Sequence, residues 1–212
     1  MRISSLVSRE AYLVRDFFSD EIRFTSGERR AGLQGFTFHV PRFTLPAVAK
    51  YEDLRGDENS LLAVTGRAWV FGDHITCEQV LATEHLDNPP AVSRAFAMGS
   101  LDAQFARRVT AGDCVVAGID FAADVTHHNV PTVLKLRGVG AVIARSFGHF
   151  FERHAIRIGL PALVVEETAA ILNGDRLRVD IEAHIVANLS SGDRYVIRNI
   201  DDEALAMLRV EQ

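Results

Sequence analysis

A strand, a helix and a second strand follow one another between residues 114 and 144, and that run limits the fold more than any other feature. CVVAGIDF (114–121) reads as a compact buried strand that begins just after the turn pair Gly112-Asp113. VPTVLKLRG (130–138) places Pro131 in the first turn of a helix and Gly138 just past its end. That asymmetry suits a helix, because a first-turn residue needs no N–H and glycine accepts the left-handed cap. AVIA (141–144) is the next apolar strand. Strands joined through a helix lie parallel, since a tight hairpin cannot link them.

The flanking segments extend this core. LLAVTGRAWVF (61–71) reads as a strand stopped by Gly72 and Asp73. A second helix over FGHFFERHAIRI (147–158) leads through Gly159 into LPALVVE. The end of the chain looks antiparallel: GDRLRVDIEAHIVANL and GDRYVIRNI alternate with period two, with Gly192-Asp193 as a turn. DDEALAML closes as a short helix with acidic residues at its positive end. The expected fold is α/β, with a parallel βαβ core and antiparallel additions, over residues 61–212. Residues 1–60 read as an N-terminal extension: a short helix at 9–18, one or two strands near GFTFHVPRF, and the polar linker YEDLRGDEN.

Composition removes several classes of function. The net charge of -5 gives no electrostatic footprint for nucleic acid or an anionic membrane surface. No apolar run approaches the roughly 20 residues that cross a bilayer, and charges interrupt the first eighteen residues too often for a signal-peptide core. A cytoplasmic protein with no nucleic-acid or membrane partner is expected. Cys77 and Cys114 are the two cysteines, too few for the three or four thiolates of an iron–sulfur cluster. Any cluster belongs to another chain.

The order of segments resembles the small subunits of isopropylmalate dehydratase and the matching swivelling domain of aconitases. GRAWVFGDHITCEQVLATEHL is similar to the opening strand and turn of those subunits. FAMGSLDAQFARRVTAGDCVVAG is similar to the segment that leads into their central strand, and RGVGAVIARSFGHFFERHAIRIGLPAL to their Ala-x-Ser-Phe run and Gly-Leu ending. ILNGDRLRVDIE fits the late hairpin. The likeness spans about 66 to 200. It implies a β/β/α swivelling domain that docks on a larger iron–sulfur subunit. That subunit would carry a [4Fe-4S] cluster, with no cofactor on this chain, and the pair would move water across a carbon–carbon bond of a hydroxy acid. It also implies a serine base and a carboxylate-binding arginine in the loop after the central strand.

That loop is rewritten. Where the family has Phe-Gly-x-Gly-Ser-Ser-Arg-Glu-His, this chain has Phe121-Ala122-Ala123-Asp124-Val125-Thr126-His127-His128-Asn129. Val125 stands at the serine base and cannot take a proton, Thr126 keeps a hydroxyl, and His127 and His128 replace the arginine and the glutamate. A strand-to-helix loop still presents N–H groups and a positive dipole end to an anion. An imidazole nevertheless lacks the bidentate fork of a guanidinium. Asp87, in the run Glu84-His85-Leu86-Asp87-Asn88, lies where the family often has a cation. Two anion-reading positions have thus lost positive charge, and a less anionic substrate is expected.

The candidate catalytic residues are Thr126, His127 and His128, and the candidate substrate-binding residues are Asp124, Asn129, Asp87 and Arg153. Each has a plainer alternative: the histidines as polar loop residues, Arg153 as a helix-surface ion-pair former. Cys77 is either a reactive thiol or a small buried hydrophobe. Phe147, Phe150 and Phe151 have the spacing of a core stripe. Phe36, Phe38 and Phe43 either cover an interface or pack locally. His149 and His154 are five apart, not the i, i+4 pair of a metal site, so no metal is assigned. Three functions fit: a hydro-lyase small subunit, a non-catalytic paralogue that binds or regulates, and a free-standing domain built on the histidine loop.

Overall fold

The computed structural model describes Ser60 and residues 62–124 and 129–210. The expectations for residues 1–59, with Phe36, Phe38 and Phe43, and for Val125, Thr126, His127 and His128 lie outside the described residues.

Among the described residues seven strands form one sheet: β1 (Ala63–Val70), β2 (Cys114–Val116), β3 (Ala141–Ala144), β4 (Ala162–Val164), β5 (Arg176–Asp180), β6 (Ile185–Asn188) and β7 (Arg194–Val196). Their order is β4-β3-β2-β1-β5-β6-β7. β1 changes partners along its length. Residues Ala63 to Arg67 pair antiparallel with β5, and Ala68 to Val70 pair parallel with β2. β2, β3 and β4 continue in parallel, as the helix crossovers require. The late strands pair antiparallel, as the alternation predicts.

The helices are α1 (Cys77–Val80), α2 (Pro90–Ser93), α3 (Phe105–Arg108), α4 (Val130–Arg137), α5 (His149–Arg157) and α6 (Asp202–Val210). α4 begins with Pro131 in its first turn and ends on Gly138 at φ 98°.

The sheet separates two cores. In the parallel half, Val115, Val142 and Ala144 face α1, α3, α4 and α5, beside Phe105, Val133, Leu134 and Phe151. Their neighbours Cys114, Val116, Ala141 and Ile143 face the antiparallel half, against Leu177, Val179, Val186 and Tyr195. This period-two alternation divides the molecule into helices, parallel strands and antiparallel strands, the expected β/β/α layering.

Three expectations are corrected in detail. β2 is shorter than 114–121 because Gly118 lies against Asp73 and Asp120 turns to φ 57°, so ladder pairing stops at Val116. GDRLRVDIEAHIVANL is two strands, β5 and β6, joined by a turn that ends with His184 at φ 57°. No glycine, proline or asparagine signals that turn. Phe150 does not belong to the core stripe: Phe151 is buried, whereas Phe150 is 55% exposed on α5.

The left-handed backbone of His184 costs about 1–2 kcal/mol, of which glycine's greater unfolded entropy returns part. His184→Gly is therefore expected to raise stability by roughly 0.5–1 kcal/mol, read as a Tm higher by a few degrees. A lowered Tm would show that the side chain contributes more than the turn costs.

Candidate active site at the strand ends

Carboxyl ends of parallel strands are where open α/β sheets bind ligands, because loops and helix N-termini converge there. In this protein the extensions of β1, β2 and β3 run side by side past the end of the sheet. Phe71 N–H donates to Val116 O at 2.7 Å, His74 N–H to Ile119 O at 2.7 Å, and Ala122 N–H to Ile75 O at 2.7 Å. On the other side Phe121 N–H donates to Ser146 O at 3.0 Å and Gly148 N–H to Phe121 O at 2.8 Å.

These extensions fix where the rewritten loop starts. Phe121 is fully buried, edge-on to Phe151 at 5.1 Å and to Phe147 at 6.1 Å. Ala122 follows at φ 51°. The backbone keeps the left-handed turn that a glycine would take there, with an alanine at a cost of about 1–2 kcal/mol. Gly148 backs this turn so closely that a Cβ on it would lie 2.1 Å from Ala122 O.

Asp124 anchors the next step. Its Oδ1 accepts the Cys77 N–H at 2.7 Å, and its carbonyl accepts the Cys77 Sγ–H at 3.3 Å. The Asp124 carboxylate therefore meets the first turn of α1, where a negative group is favoured. Thr76 closes that helix end with a capping box to Gln79. The loop exit is Asn129, which is exposed, caps α4 without a side-chain bond, and accepts Val133 N–H at 2.9 Å.

The other two substrate-binding candidates stand elsewhere. Asp87 is exposed in the turn that follows residues 83–85. Nearby, His85 stacks on Phe96 at 3.8 Å and its carbonyl accepts the Ser93 hydroxyl at 2.7 Å. Arg153 is exposed and lines a groove of about 840 Å³ between α5 and α6, with Asp201 and Glu203. Asp124 and Asn129 thus flank the loop, while Arg153 shares its groove with Asp201 and Glu203.

The sequence marks Asp73 as a strand stop and assigns His74 and Asp120 no role. Asp73 Oδ1 accepts Ile119 N–H at 2.9 Å, which ties the β1 extension to the β2 extension. His74 Nδ1 lies 3.2 Å from Asp120 Oδ2, and Ser146 Oγ hydrogen-bonds to Asp120 Oδ1 at 3.2 Å. These residues are 46 and 26 positions apart in sequence, so no local motif reveals them. The one available signal is topological, since all three follow the ends of adjacent parallel strands.

Both cysteines are buried. Cys114 is fully buried, and burial, helped by the Asp113 charge, pushes its thiol up to about 12. Cys77 is buried with its sulfur on the Asp124 carbonyl. Among the described residues no group of three His, Cys, Asp or Glu side chains is placed to bind a metal ion. No described helix is long and apolar enough to cross a membrane.

No protein-family model matches the chain. Among curated proteins it is similar to the 3-isopropylmalate dehydratase small subunit 1 of Archaeoglobus fulgidus, with 38% identity over 138 residues covering 65% of this chain and 86% of that protein. The small subunit of Methanosarcina mazei is 36% identical over 138 residues, covering 65% and 85%. Among solved structures, a 3-isopropylmalate dehydratase of Methanocaldococcus jannaschii matches at 26% identity with a TM-score of 0.65, covering 69% of this chain and 87% of that one.

Proposed function

Because the chain belongs to the family of 3-isopropylmalate dehydratase small subunits, we propose that it serves as the small subunit of an aconitase-type hydro-lyase. The observation that carries this reading is the 38% identity sustained over 86% of a relative named as such a subunit. In this reading the partner is a larger iron–sulfur subunit, the [4Fe-4S] cluster sits on that partner, and the pair works in the cytoplasm. Residues 61–212 form the docking domain and residues 1–60 an extension outside the shared part.

The substrate is a small hydroxy acid with less negative charge than a dicarboxylate. An imidazole at His127 replaces a guanidinium, Asp87 adds negative charge, and Asp124 places a carboxylate at the loop entry. The α4 N-terminus and Asn129 remain to orient one carboxylate. Thr126, His127 and His128 supply donors and proton-exchanging groups on the loop, and Arg153 offers a cation on α5. The oxygen of Asp124 that accepts the Cys77 N–H keeps the loop entry in place.

The test compares the assembled pair carrying wild-type chain with one carrying His127→Ala, assayed for hydration and dehydration of hydroxy acids. A rate at least tenfold lower, with the pair still assembled, supports a catalytic loop. An unchanged rate removes His127 from the chemistry. A pair that forms and turns nothing over points to the non-catalytic paralogue, which the valine at 125 also suits.

A further inference from the structure

The described histidines near the strand ends are held in different ways. His85 is stacked on Phe96, and His149 opens α5 beside the α5–α6 groove. His74 is held through its ring nitrogen. Its Nδ1 lies 3.2 Å from Asp120 Oδ2. Asp120 is itself fixed by Ser146, whose hydroxyl meets Oδ1 at 3.2 Å and accepts the Asp120 N–H at 2.7 Å.

The backbone holds this arrangement at both ends. His74 and Asp120 sit at φ 55° and 57°, and Ile119 between them binds the His74 N–H and the Asp73 carboxylate. Their side chains are 65% and 52% exposed, and an exposed pair adds little to stability. Folding energy alone therefore does not account for two adjoining left-handed residues, a form of strain that gathers at functional sites. The residue after His74 is Ile75, whose carbonyl anchors Ala122. The pair thus adjoins the entry of the rewritten loop, where Val125 has no atom that accepts a proton.

We infer that His74 is an acid–base group of this site, oriented by Asp120 and Ser146; the inference rests on the hydro-lyase reading. A carboxylate on Nδ1 selects the tautomer with the proton on that nitrogen and leaves the Nε2 lone pair to accept another. Nε2 has no partner among the described residues. The step is a proton transfer alone. The C–H proton next to the substrate carboxylate moves to Nε2, and the ring lone pair forms the new N–H bond. The C–H electron pair stays on the substrate, spread into its carboxylate. Nothing is oxidised or reduced, and Nδ1 keeps its own proton, directed at Asp120 Oδ2. In the opposite direction Nε2–H returns the proton to carbon. Asp120 and Ser146 are positioning residues.

Asparagine tolerates the left-handed backbone, so His74→Asn and Asp120→Asn keep both turns. The full-length chain, assembled anaerobically with its large subunit, is assayed for solvent deuterium uptake into 3-isopropylmalate, malate and 3-hydroxybutyrate. His74→Asn is expected to lower uptake at least 100-fold with an unchanged melting temperature. Asp120→Asn is expected to lower kcat about tenfold with KM within twofold. In nitrogen NMR of the free chain, Asp120→Asn should move the His74 proton from Nδ1 toward Nε2. Uptake by the His74→Asn pair within twofold of wild type overturns the inference alone, and an unmoved tautomer overturns the orienting role. A wild-type pair that exchanges deuterium into none of the three acids overturns the hydro-lyase reading, and the inference with it.

Discussion

Asp113→Ala is expected to destabilise the domain by about 3–5 kcal/mol, measured by urea unfolding with an unchanged slope. Asp113 is 2% exposed and closes the corner between β1 and β2. Its Oδ1 accepts Arg67 N–H at 3.0 Å, and its Oδ2 accepts Trp69 Nε1–H at 3.0 Å and Thr110 N–H at 2.9 Å. Removing the carboxylate strands three donors, and an unsatisfied buried donor costs about 1–3 kcal/mol. Asp113→Asn also destabilises, because its amide turns donors toward donors.

Burial pushes the Asp113 carboxyl upward, but the hydrogen bonds from Thr110, Arg67 and Trp69 outweigh it and hold the group below the usual carboxylate range. A depressed folded pKa means the unfolded chain takes up the proton first. The contribution of Asp113 is therefore complete above the unfolded value of about 4 and fades as pH falls below it. The wild-type domain should lose stability on acidification below that point more steeply than Asp113→Asn. Equal slopes would show that other carboxylates dominate acid unfolding.

Gly148→Ala is expected to cost about 2–3 kcal/mol and to displace the loop entry. A Cβ at Gly148 would lie 2.1 Å from Ala122 O and 2.6 Å from Ala123 Cα, both backbone atoms that cannot rotate away. Relief requires the Phe121–Ala123 segment to move off α5, which breaks the Gly148 N–H to Phe121 O bond of 2.8 Å. The effect on an assembled hydro-lyase should exceed the effect on stability, since the displaced segment leads directly into the loop. A stable, fully active Gly148→Ala protein would show that the loop entry is not held by this contact.

The parallel core was legible because its punctuation is local. Pro131 and Gly138 bracket α4, and short apolar runs on either side leave no other partner than a parallel strand. The same logic failed where the turn carries no marker residue. Ile181 to His184 reverse the chain between β5 and β6 with no glycine to announce it, and His184 takes the left-handed angle itself. β2 extends only to Val116 although CVVAGI is an unbroken run without charge, because the Asp73 side chain that occupies the space over Gly118 comes from another segment.

The site was legible in one dimension only. The loop was found from its place between β2 and α4, and Asp124 and Asn129 do flank it. Asp124 binding to Cys77, and Asp120 to His74 and Ser146, depends on three strand extensions lying side by side, which spacing along the chain does not encode. Arg153 shows the converse, since its place on a helix is clear from sequence but Asp201 and Glu203, which share its groove, come from about fifty residues further along the chain.

The most direct measurement is an anaerobic affinity pull-down of the tagged full-length chain from its native cell extract, with iron assayed and bound proteins identified by mass spectrometry. A stoichiometric larger subunit that brings the iron with it is the expected result. Recovery of the chain alone and free of iron would contradict it, leaving a swivelling domain put to another use.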